Sequence, residues 1–302
     1  EALVARGWSV HIATDPRVGE LIEGVPAAET HRVPSATLAG RSPASMLRFL
    51  ATVARGVRVS RALLRKVSPQ VVVGFGGYPT VPPLMAARIA RLPIVLHEQN
   101  AVVGQANRML LRLGAVLATG FEGAKGSAGA REIVHVGNPV RAAIAAAVRP
   151  YVPPRPGAEF RLLVFGGSQG ARVFSGLVPG ALALLPREKR QRIRIVQQAR
   201  PEDLQATLDT LRGMGLDADV RPFFADMPER LTAAHLVLCR AGASTVTELA
   251  VMGRPAILVP YPHALEHQAD NARALAAAGG AWLAPERELD PAGLAGRIAS
   301  LM

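Results

Sequence analysis

One order of secondary structure occurs twice along this chain, and it restricts the fold more than any other feature. In each half a short β-branched strand runs into a glycine turn, a helix, a proline and a second strand; the copies begin at Val71 and Val237. Strands that alternate with helices form parallel sheets, which bind ligands at the carboxyl ends of their strands. The repeat therefore predicts an α/β protein with two doubly wound, Rossmann-like domains that face each other across a cleft.

Short apolar runs predict eight strands. They lie at residues 8–14, 70–74, 93–97, 115–119, 161–165, 192–197, 235–239 and 256–260. Four prolines between Arg149 and Gly157 interrupt all periodicity, which is typical of a linker. With 302 residues, the chain is long enough for two domains. We predict an amino-terminal domain at 1–148, a linker at 149–158 and a carboxyl-terminal domain at 159–302.

The first half opens on a helix, residues 1–6, rather than on a strand. A parallel crossover needs a strand before its helix. We therefore expect a strand and a glycine-rich turn immediately upstream of Glu1 in the reading frame.

Composition narrows the class of protein. Hydrophobic residues make up 49% of the chain, which disfavours disorder, and the single cysteine excludes an internal disulfide. The longest uncharged stretch, residues 67–87, is interrupted by glycine and proline, as a membrane-spanning helix rarely is. These features predict a soluble cytosolic protein.

The net charge of +12 is concentrated in the first half, where residues 1–150 hold 18 basic and 8 acidic side chains. Arginines alternate with apolar residues at helical spacing between Arg41 and Lys66. Such a segment fits a solvated helix face, a nucleic-acid contact or a face resting on an anionic membrane, and the apolar neighbours favour the membrane. This predicted membrane face comprises Met46, Arg48, Phe49, Leu50 and Arg55.

Two strand-to-helix turns in the second half fit phosphate groups. Gly166 to Gly170 follows a strand and opens a helix, and Arg240 to Glu248 does the same. Free N–H groups at a helix start favour an anion. The first turn could instead only pack a strand on a helix, and in the second Glu248 could complete a capping box with Ser244 or Thr245.

Two polar clusters and one thiol also require interpretation. His263 to His267 matches H-x-x-E-H, but prolines before it predict a loop rather than the helix that a metal site needs, so we expect no metal there. His97 to Asn100 lies at a strand's carboxyl end and is either functional or a hydrogen-bonded corner. Cys239 lies in an apolar strand, which disfavours a reactive role.

Five ordered motifs together resemble the MurG family of peptidoglycan N-acetylglucosaminyltransferases. They are Gly74-Phe75-Gly76-Gly77-Tyr78, His97-Glu98-Gln99-Asn100-Ala101, Gly137-Asn138-Pro139-Val140-Arg141, Gly166-Gly167-Ser168-Gln169-Gly170-Ala171 and Arg240 to Glu248. They span nearly the whole chain in the family's order.

The resemblance implies a GT-B fold with an acceptor domain first and a UDP-sugar domain second. It implies inverting transfer of N-acetylglucosamine from UDP-N-acetylglucosamine to the 4-hydroxyl of muramic acid on lipid I, giving lipid II, without a cofactor or a metal. The expected partners are these two substrates and an anionic membrane surface, with no nucleic acid. The expected location is peripheral, on the cytoplasmic side of the inner membrane.

The resemblance also implies roles for individual residues. It assigns UDP-N-acetylglucosamine binding to Asn100, Arg141, Ser168, Gln169, Phe224, Ala243, Ser244, Thr245, Val246, Thr247, Glu248, His267 and Gln268. Among these, Phe224 would hold uracil through its backbone, Glu248 the ribose, and Arg141 the diphosphate. Asn100 would lie on the acceptor side of the cleft. The acceptor side would comprise Gly76, Gly77, Tyr78, His97, Glu98 and Asn107.

The chain departs from the family pattern in places. The family's amino-terminal glycine loop, which ends in a histidine, has no counterpart, so no general base is assigned. A usual His-Gln pair reads Gln197-Gln198, and a customary acid is His235. Two other enzyme activities remain as alternatives, another UDP-sugar glycolipid transferase and a UDP-N-acetylglucosamine 2-epimerase, alongside a non-catalytic membrane- or nucleic-acid-binding remnant.

Overall fold

The computed structural model describes residues 2–16, 27–37, 42–167, 171–262 and 267–302. The chain divides into two compact units, Glu1–Gly137 and Asn138–Met302. Residues 138–148, assigned above to the first domain, group with the second unit, so this boundary differs from the predicted one. The physical reason is that Asn138 and Arg141 hydrogen-bond to Thr247 and Glu248 of that unit.

The first unit is built from parallel strands and helices. Its elements are α1 (Ala2–Ala5), β1 (His11–Thr14), β2 (Glu29–Arg32), α2 (Pro43–Val67), β3 (Val72–Gly74), α3 (Val81–Ile89), β4 (Ile94–Glu98), α4 (Gln105–Leu111), β5 (Val116–Thr119) and β6 (Glu132–His135). Strands β1 and β2 form a two-stranded sheet, and a second sheet has the order β3-β4-β5-β6. Leu84 of α3 and Leu110 of α4 are buried with Leu96 and Leu117 of the second sheet, and this cluster is the core of the unit.

The second unit contains one larger sheet. Its elements are α5 (Ala142–Ala146), β7 (Phe160–Phe165), α6 (Arg172–Ala183), α7 (Arg187–Arg190), β8 (Ile193–Gln198), α8 (Pro201–Gly213), β9 (Asp217–Arg221), α9 (Met227–Ala233), β10 (Leu236–Cys239), α10 (Ala243–Met252), β11 (Ala256–Leu258), α11 (His267–Ala277), β12 (Ala281–Leu283) and α12 (Pro291–Ser300). The strands are parallel, in the order β12-β11-β10-β7-β8-β9. The fold class predicted from the repeat, two α/β units with parallel sheets, is confirmed.

All eight predicted strands are present, and the described part of the chain contains four others that were missed: β2, β6, β9 and β12. Each missed strand lies at the edge of a sheet. An edge strand is less enclosed than a central one, so its sequence need not be a continuous apolar run. Strand β6 illustrates this, since all four residues from Glu132 to His135 are exposed. None of the helices that the structure describes is long and apolar enough to cross a membrane.

The buried cysteine supplies a test of this core. Cys239 on β10 has no exposed surface, and burial raises the pKa of its thiol. We expect the native chain to resist the thiol reagent DTNB at mildly alkaline pH, because the thiolate is the reactive species. The same thiol should react fully in concentrated guanidinium chloride. Rapid labelling of the native chain would contradict the burial of β10.

Candidate functional site

The chemistry-bearing turns of the second unit lie where its strand order reverses. Strands β8 and β9 follow β7 on one side of it, and the next strand in the chain, β10, pairs with β7 on its other side. The two central strands pair in parallel, with Cys239 opposite Phe165. The turns that follow them, at Gly166 and Arg240, therefore lie side by side. Such a reversal opens a crevice at the carboxyl ends of the strands.

Helix α10 starts directly after the second turn. Gly242 is its N-cap residue, in an extended conformation, and no side chain caps the helix. The first N–H groups of a helix have no partner within the helix, and the helix dipole adds positive potential there. The backbone at Ala243, Ser244 and Thr245 thus presents donors suited to an anion.

The capping-box alternative for this turn is wrong. Ser244 and Thr245 lie inside α10, so neither is its N-cap. The Glu248 carboxylate instead accepts hydrogen bonds from Arg141, from Nε at 2.8 Å to Oε1 and from Nη2 at 3.0 Å to Oε2. This fork-to-carboxylate pair raises the pKa of Arg141, chiefly through the hydrogen bond to Glu248. Two residues assigned to different parts of one nucleotide are therefore neighbours.

A second contact links the same segments. Asn138 Nδ2 donates to Thr247 Oγ1 at 3.0 Å, and that hydroxyl donates to the Ala243 carbonyl at 2.9 Å. The residues between Asn138 and Arg141 are thereby held against the start of α10. The sequence did not single out Asn138 beyond its place in a motif, because its partner lies more than a hundred residues away in the chain.

The glycine-rich turn after β7 is held from a neighbouring strand. Gln198, at the end of β8, accepts a hydrogen bond from the Gly166 N–H at 3.0 Å and donates to the Pro222 carbonyl at 3.0 Å. Gly167 has φ +88°, which a side chain would strain. The sequence treated Gln198 only as a departure from a family pattern. Ser168 and Gln169 lie outside the described residues.

Three more assigned residues lie around the rest of this unit's strand ends. Phe224 is buried, and the Arg230 guanidinium lies 4.2 Å from its ring centre. His267 and Gln268 open α11, and Gln268 accepts from the Tyr261 N–H at 2.9 Å. Val246 is buried inside α10, where it packs the helix.

In the first unit, Glu98 organises the loop after β4. Its side chain is 2% exposed, and its two oxygens accept from Asn100 N at 3.0 Å, Asn100 Nδ2 at 3.1 Å, Gly104 N at 2.9 Å and Asn107 Nδ2 at 2.9 Å. The sequence left two interpretations of this segment open, a functional group or a hydrogen-bonded corner, and for Glu98 the geometry matches the hydrogen-bonded corner. The carboxylate fixes the positions of Asn100 and Asn107 rather than presenting itself to solvent.

The remaining acceptor-side residues surround this corner. His97 is buried, and its Nε2 lies 3.1 Å from the Gly137 carbonyl oxygen. Gly76 has φ +83°, and an added Cβ would approach the Asn107 amide to 3.2 Å. Gly77 is the N-cap of a short 3-10 helix that begins at Tyr78. The motifs after β3 and β4 thus meet around Asn107, since Gly74 pairs with Leu96.

The corner can be tested through stability. Glu98→Gln places an amide NH₂ against N–H donors and removes the charge that they stabilise. We expect it to lower the free energy of unfolding by about 2–4 kcal/mol, measured by urea denaturation. Glu122→Gln, which changes an exposed carboxylate of the same unit, should alter it by less than about 0.5 kcal/mol. Equal effects of the two changes would remove the assigned role of Glu98.

Two family descriptions match the chain, one in each half. The glycosyltransferase family 28 N-terminal domain matches residues 1–115, and the family's C-terminal domain matches residues 161–302. The matched regions follow the two units described above.

Individual proteins are similar over nearly the whole chain. A protein of Rhizobium rhizogenes named UDP-N-acetylglucosamine--N-acetylmuramyl-(pentapeptide) pyrophosphoryl-undecaprenol N-acetylglucosamine transferase is 53% identical over 96% of this chain and 78% of its own length. The protein of the same name from Agrobacterium fabrum is 49% identical over 99% of this chain and 80% of its own. Among solved structures, MurG of Acinetobacter baumannii has a TM-score of 0.77 at 28% identity, covering 100% of this chain and 84% of that protein.

Proposed function

The chain belongs to glycosyltransferase family 28, and we propose that it transfers N-acetylglucosamine from UDP-N-acetylglucosamine to undecaprenyl-pyrophosphoryl N-acetylmuramyl-pentapeptide, lipid I, to form lipid II. The observation that carries this function is the identity of 49% and 53% to proteins named for that reaction, over nearly all of the chain. The chain is thus a hexosyltransferase of peptidoglycan synthesis.

The donor nucleotide binds to the second unit. Departure of UDP puts negative charge on the diphosphate, and backbone N–H groups at a helix start stabilise such charge without a metal ion. The free start of α10 supplies these groups through Ala243, Ser244 and Thr245. The glycine-rich turn held by Gln198 lies beside it, on the neighbouring strand.

Arg141 and Glu248 bind different parts of the nucleotide, the diphosphate and the ribose. Their pair uses two of the five N–H groups of the guanidinium, and the Arg141 side chain is 61% exposed. The remaining N–H groups are available to the diphosphate, while the Glu248 carboxylate accepts from the ribose hydroxyls. Arg141 thereby orients the carboxylate before the nucleotide arrives. His267 and Gln268 contact the sugar, and the backbone of Phe224 contacts the uracil.

The acceptor binds to the first unit. Asn100 and His97 lie at the carboxyl end of β4, and Glu98 holds the loop that carries Asn100. Gly76, Gly77 and Tyr78 form the adjacent turn. Hydroxyl and amide groups of this kind suit the muramyl sugar, whose 4-hydroxyl attacks the anomeric carbon with inversion.

The activity is tested by incubating the chain with radiolabelled UDP-N-acetylglucosamine and lipid I in detergent. Label should appear in the lipid fraction only when lipid I is present, as lipid II. An epimerase would instead release free sugar without an acceptor. Label on a different glycolipid, or sugar release alone, would overturn the proposal.

The ribose contact is tested by calorimetry with two nucleotides. Glu248→Gln should weaken UDP binding roughly thirtyfold, about 2 kcal/mol, because a charge-assisted hydrogen bond is lost. It should leave binding of 2′,3′-dideoxyuridine diphosphate unchanged, since that ligand lacks both hydroxyls. The comparison separates the ribose contact from any effect of releasing Arg141.

Glu202→Gln is the matched control, since it removes another carboxylate of the second unit from the exposed start of α8. It should affect neither ligand. If Glu248→Gln weakened both nucleotides equally, Glu248 would not contact the ribose.

An acceptor with an undecaprenyl anchor requires the enzyme to work at a membrane surface. Helix α2 supplies a suitable face. Its buried residues are Gly56, where a Cβ would clash with the Pro34 carbonyl, and Ser60. Leu47 is 70% exposed and Leu50 54% exposed. An apolar face with flanking arginines suits the anionic, cytoplasmic leaflet.

The exposed arginines of α2 should control membrane binding. Replacing Arg48, Arg55 and Arg58 by glutamate should weaken binding to phosphatidylglycerol vesicles by more than about a hundredfold, because each basic residue contributes ~1 kcal/mol. The charge-matched control replaces three exposed arginines elsewhere in the first unit: Arg88, Arg112 and Arg131. Vesicle flotation that shows the same loss for both variants would mean that net charge, rather than this face, drives binding.

A further inference from the structure

The two-stranded sheet of the first unit gathers three ligand-type side chains on one face. In the parallel pairing of β1 and β2, His11 lies opposite Glu29 and Ala13 lies opposite His31. Residues two apart in a strand point to the same face, so Glu29 and His31 share the face that carries His11. Ala13 contributes only a methyl group there, which leaves room beside the His31 ring.

The distances within this cluster are short. His11 Nδ1 lies 3.2 Å from His31 Nε2, and the two rings stack with centres 5.4 Å apart at an interplanar angle of 15°. Glu29 Oε1 lies 3.6 Å from the second ring nitrogen of His31, Nδ1, while Nε2 of the same ring faces His11. One ligand atom from each of the three side chains lies within 4.8 Å of the other two.

We propose that His11, Glu29 and His31 bind a divalent transition-metal ion, with Zn²⁺ as the preferred ion. Zn²⁺ takes imidazole nitrogen and carboxylate oxygen at about 2.0–2.2 Å, so two tetrahedral ligands are separated by about 3.4 Å. The His11–His31 nitrogen separation is 3.2 Å, close to that value. Mg²⁺ and Ca²⁺ prefer all-oxygen sites, so a pair of imidazoles selects against them.

The sequence could not reveal this site. The H-x-x-E-H pattern near residue 263, the stretch that most resembles a zinc motif, is elsewhere in the chain. Here the ligands come from two strands that are separated in sequence, and the Glu-x-His spacing from Glu29 to His31 is ordinary in a strand. Only the register of β1 against β2 brings His11 to them.

Lys66 competes with the metal for Glu29. Lys66 lies in the last turn of α2, and its Nζ is 3.2 Å from Glu29 Oε2 on β2. The Lys66 side chain is 68% exposed. The ammonium group and a cation need the same carboxylate, so their binding is antagonistic. Removing the ammonium group should therefore strengthen metal binding, an outcome that a simple hydrogen-bonded histidine pair does not predict.

A bound ion would join β1 to β2 directly. A metal ion that bridges both strands stabilises their pairing. The site has three protein ligands and leaves a fourth position open to water. The inferred role of the ion is to hold β1 against β2.

The test is a titration of the purified chain, stripped with EDTA and dialysed, using ZnCl₂ in a calorimeter and CoCl₂ by visible absorption. Binding of one ion per chain is expected for Zn²⁺, with a tetrahedral Co²⁺ spectrum and no heat from MgCl₂. His11→Gln and His31→Gln should each weaken Zn²⁺ binding by at least about tenfold. Lys66→Met should strengthen it several-fold.

His135→Gln is the matched control, because His135 is an exposed histidine on β6 of the same unit. It should leave Zn²⁺ affinity unchanged. Circular dichroism in EDTA checks that the variants are folded, and the gain expected for Lys66→Met cannot arise from misfolding. The proposal is overturned if the native chain shows no Zn²⁺ binding, if the His11 and His31 variants bind as the native chain does, or if His135→Gln weakens binding equally.

Discussion

Parallel pairing of β7 with β10 is the constraint on which the second unit depends. It places the carboxyl ends of two strands that are far apart in sequence beside each other, with Phe165 opposite Cys239. Each strand must then turn into a helix, and both turns contain glycine; in the first of them Gly167 has φ +88°, which favours glycine. The suitability of this edge for a phosphate follows from the topology, since the start of α10 brings uncapped N–H groups there whatever the side chains are.

Side chains then fix the positions of the two turns through hydrogen bonds. Gln198 holds one turn through Gly166, and the Asn138–Thr247 contact holds the approach to the other. Arg141 and Glu248 form the charged pair of the site. In the first unit one buried carboxylate, Glu98, accepts four hydrogen bonds and thereby holds the loop after β4. Both candidate sites are thus held by hydrogen bonds between their own polar side chains and backbone.

Much of the fold could be predicted because central parallel strands are buried on both faces. Such strands must be apolar, so β4, β7 and β10 stand out as apolar runs in the sequence. Strands β2, β6 and β9 could not be recognised, because edge strands tolerate charged residues such as Glu29, Glu132 and Asp217. Strand β12, Ala281–Leu283, is apolar but only three residues long. The predicted domain boundary differs from that between the two compact units for a related reason. The prolines near residue 153 are visible locally, whereas the bond from Arg141 to Glu248 is not.

The sequence by itself determined the class of fold, the two turns suited to phosphate and the family to which the motifs point. These depend on local order along the chain, on strand, glycine and helix in succession. Tertiary structure decided which polar residues meet. It made Glu98 a buried corner, it excluded Ser244 and Thr245 as caps of α10, and it brought His11 to Glu29 and His31. Contacts of that kind depend on strand register, and register is set by the packing of the whole sheet.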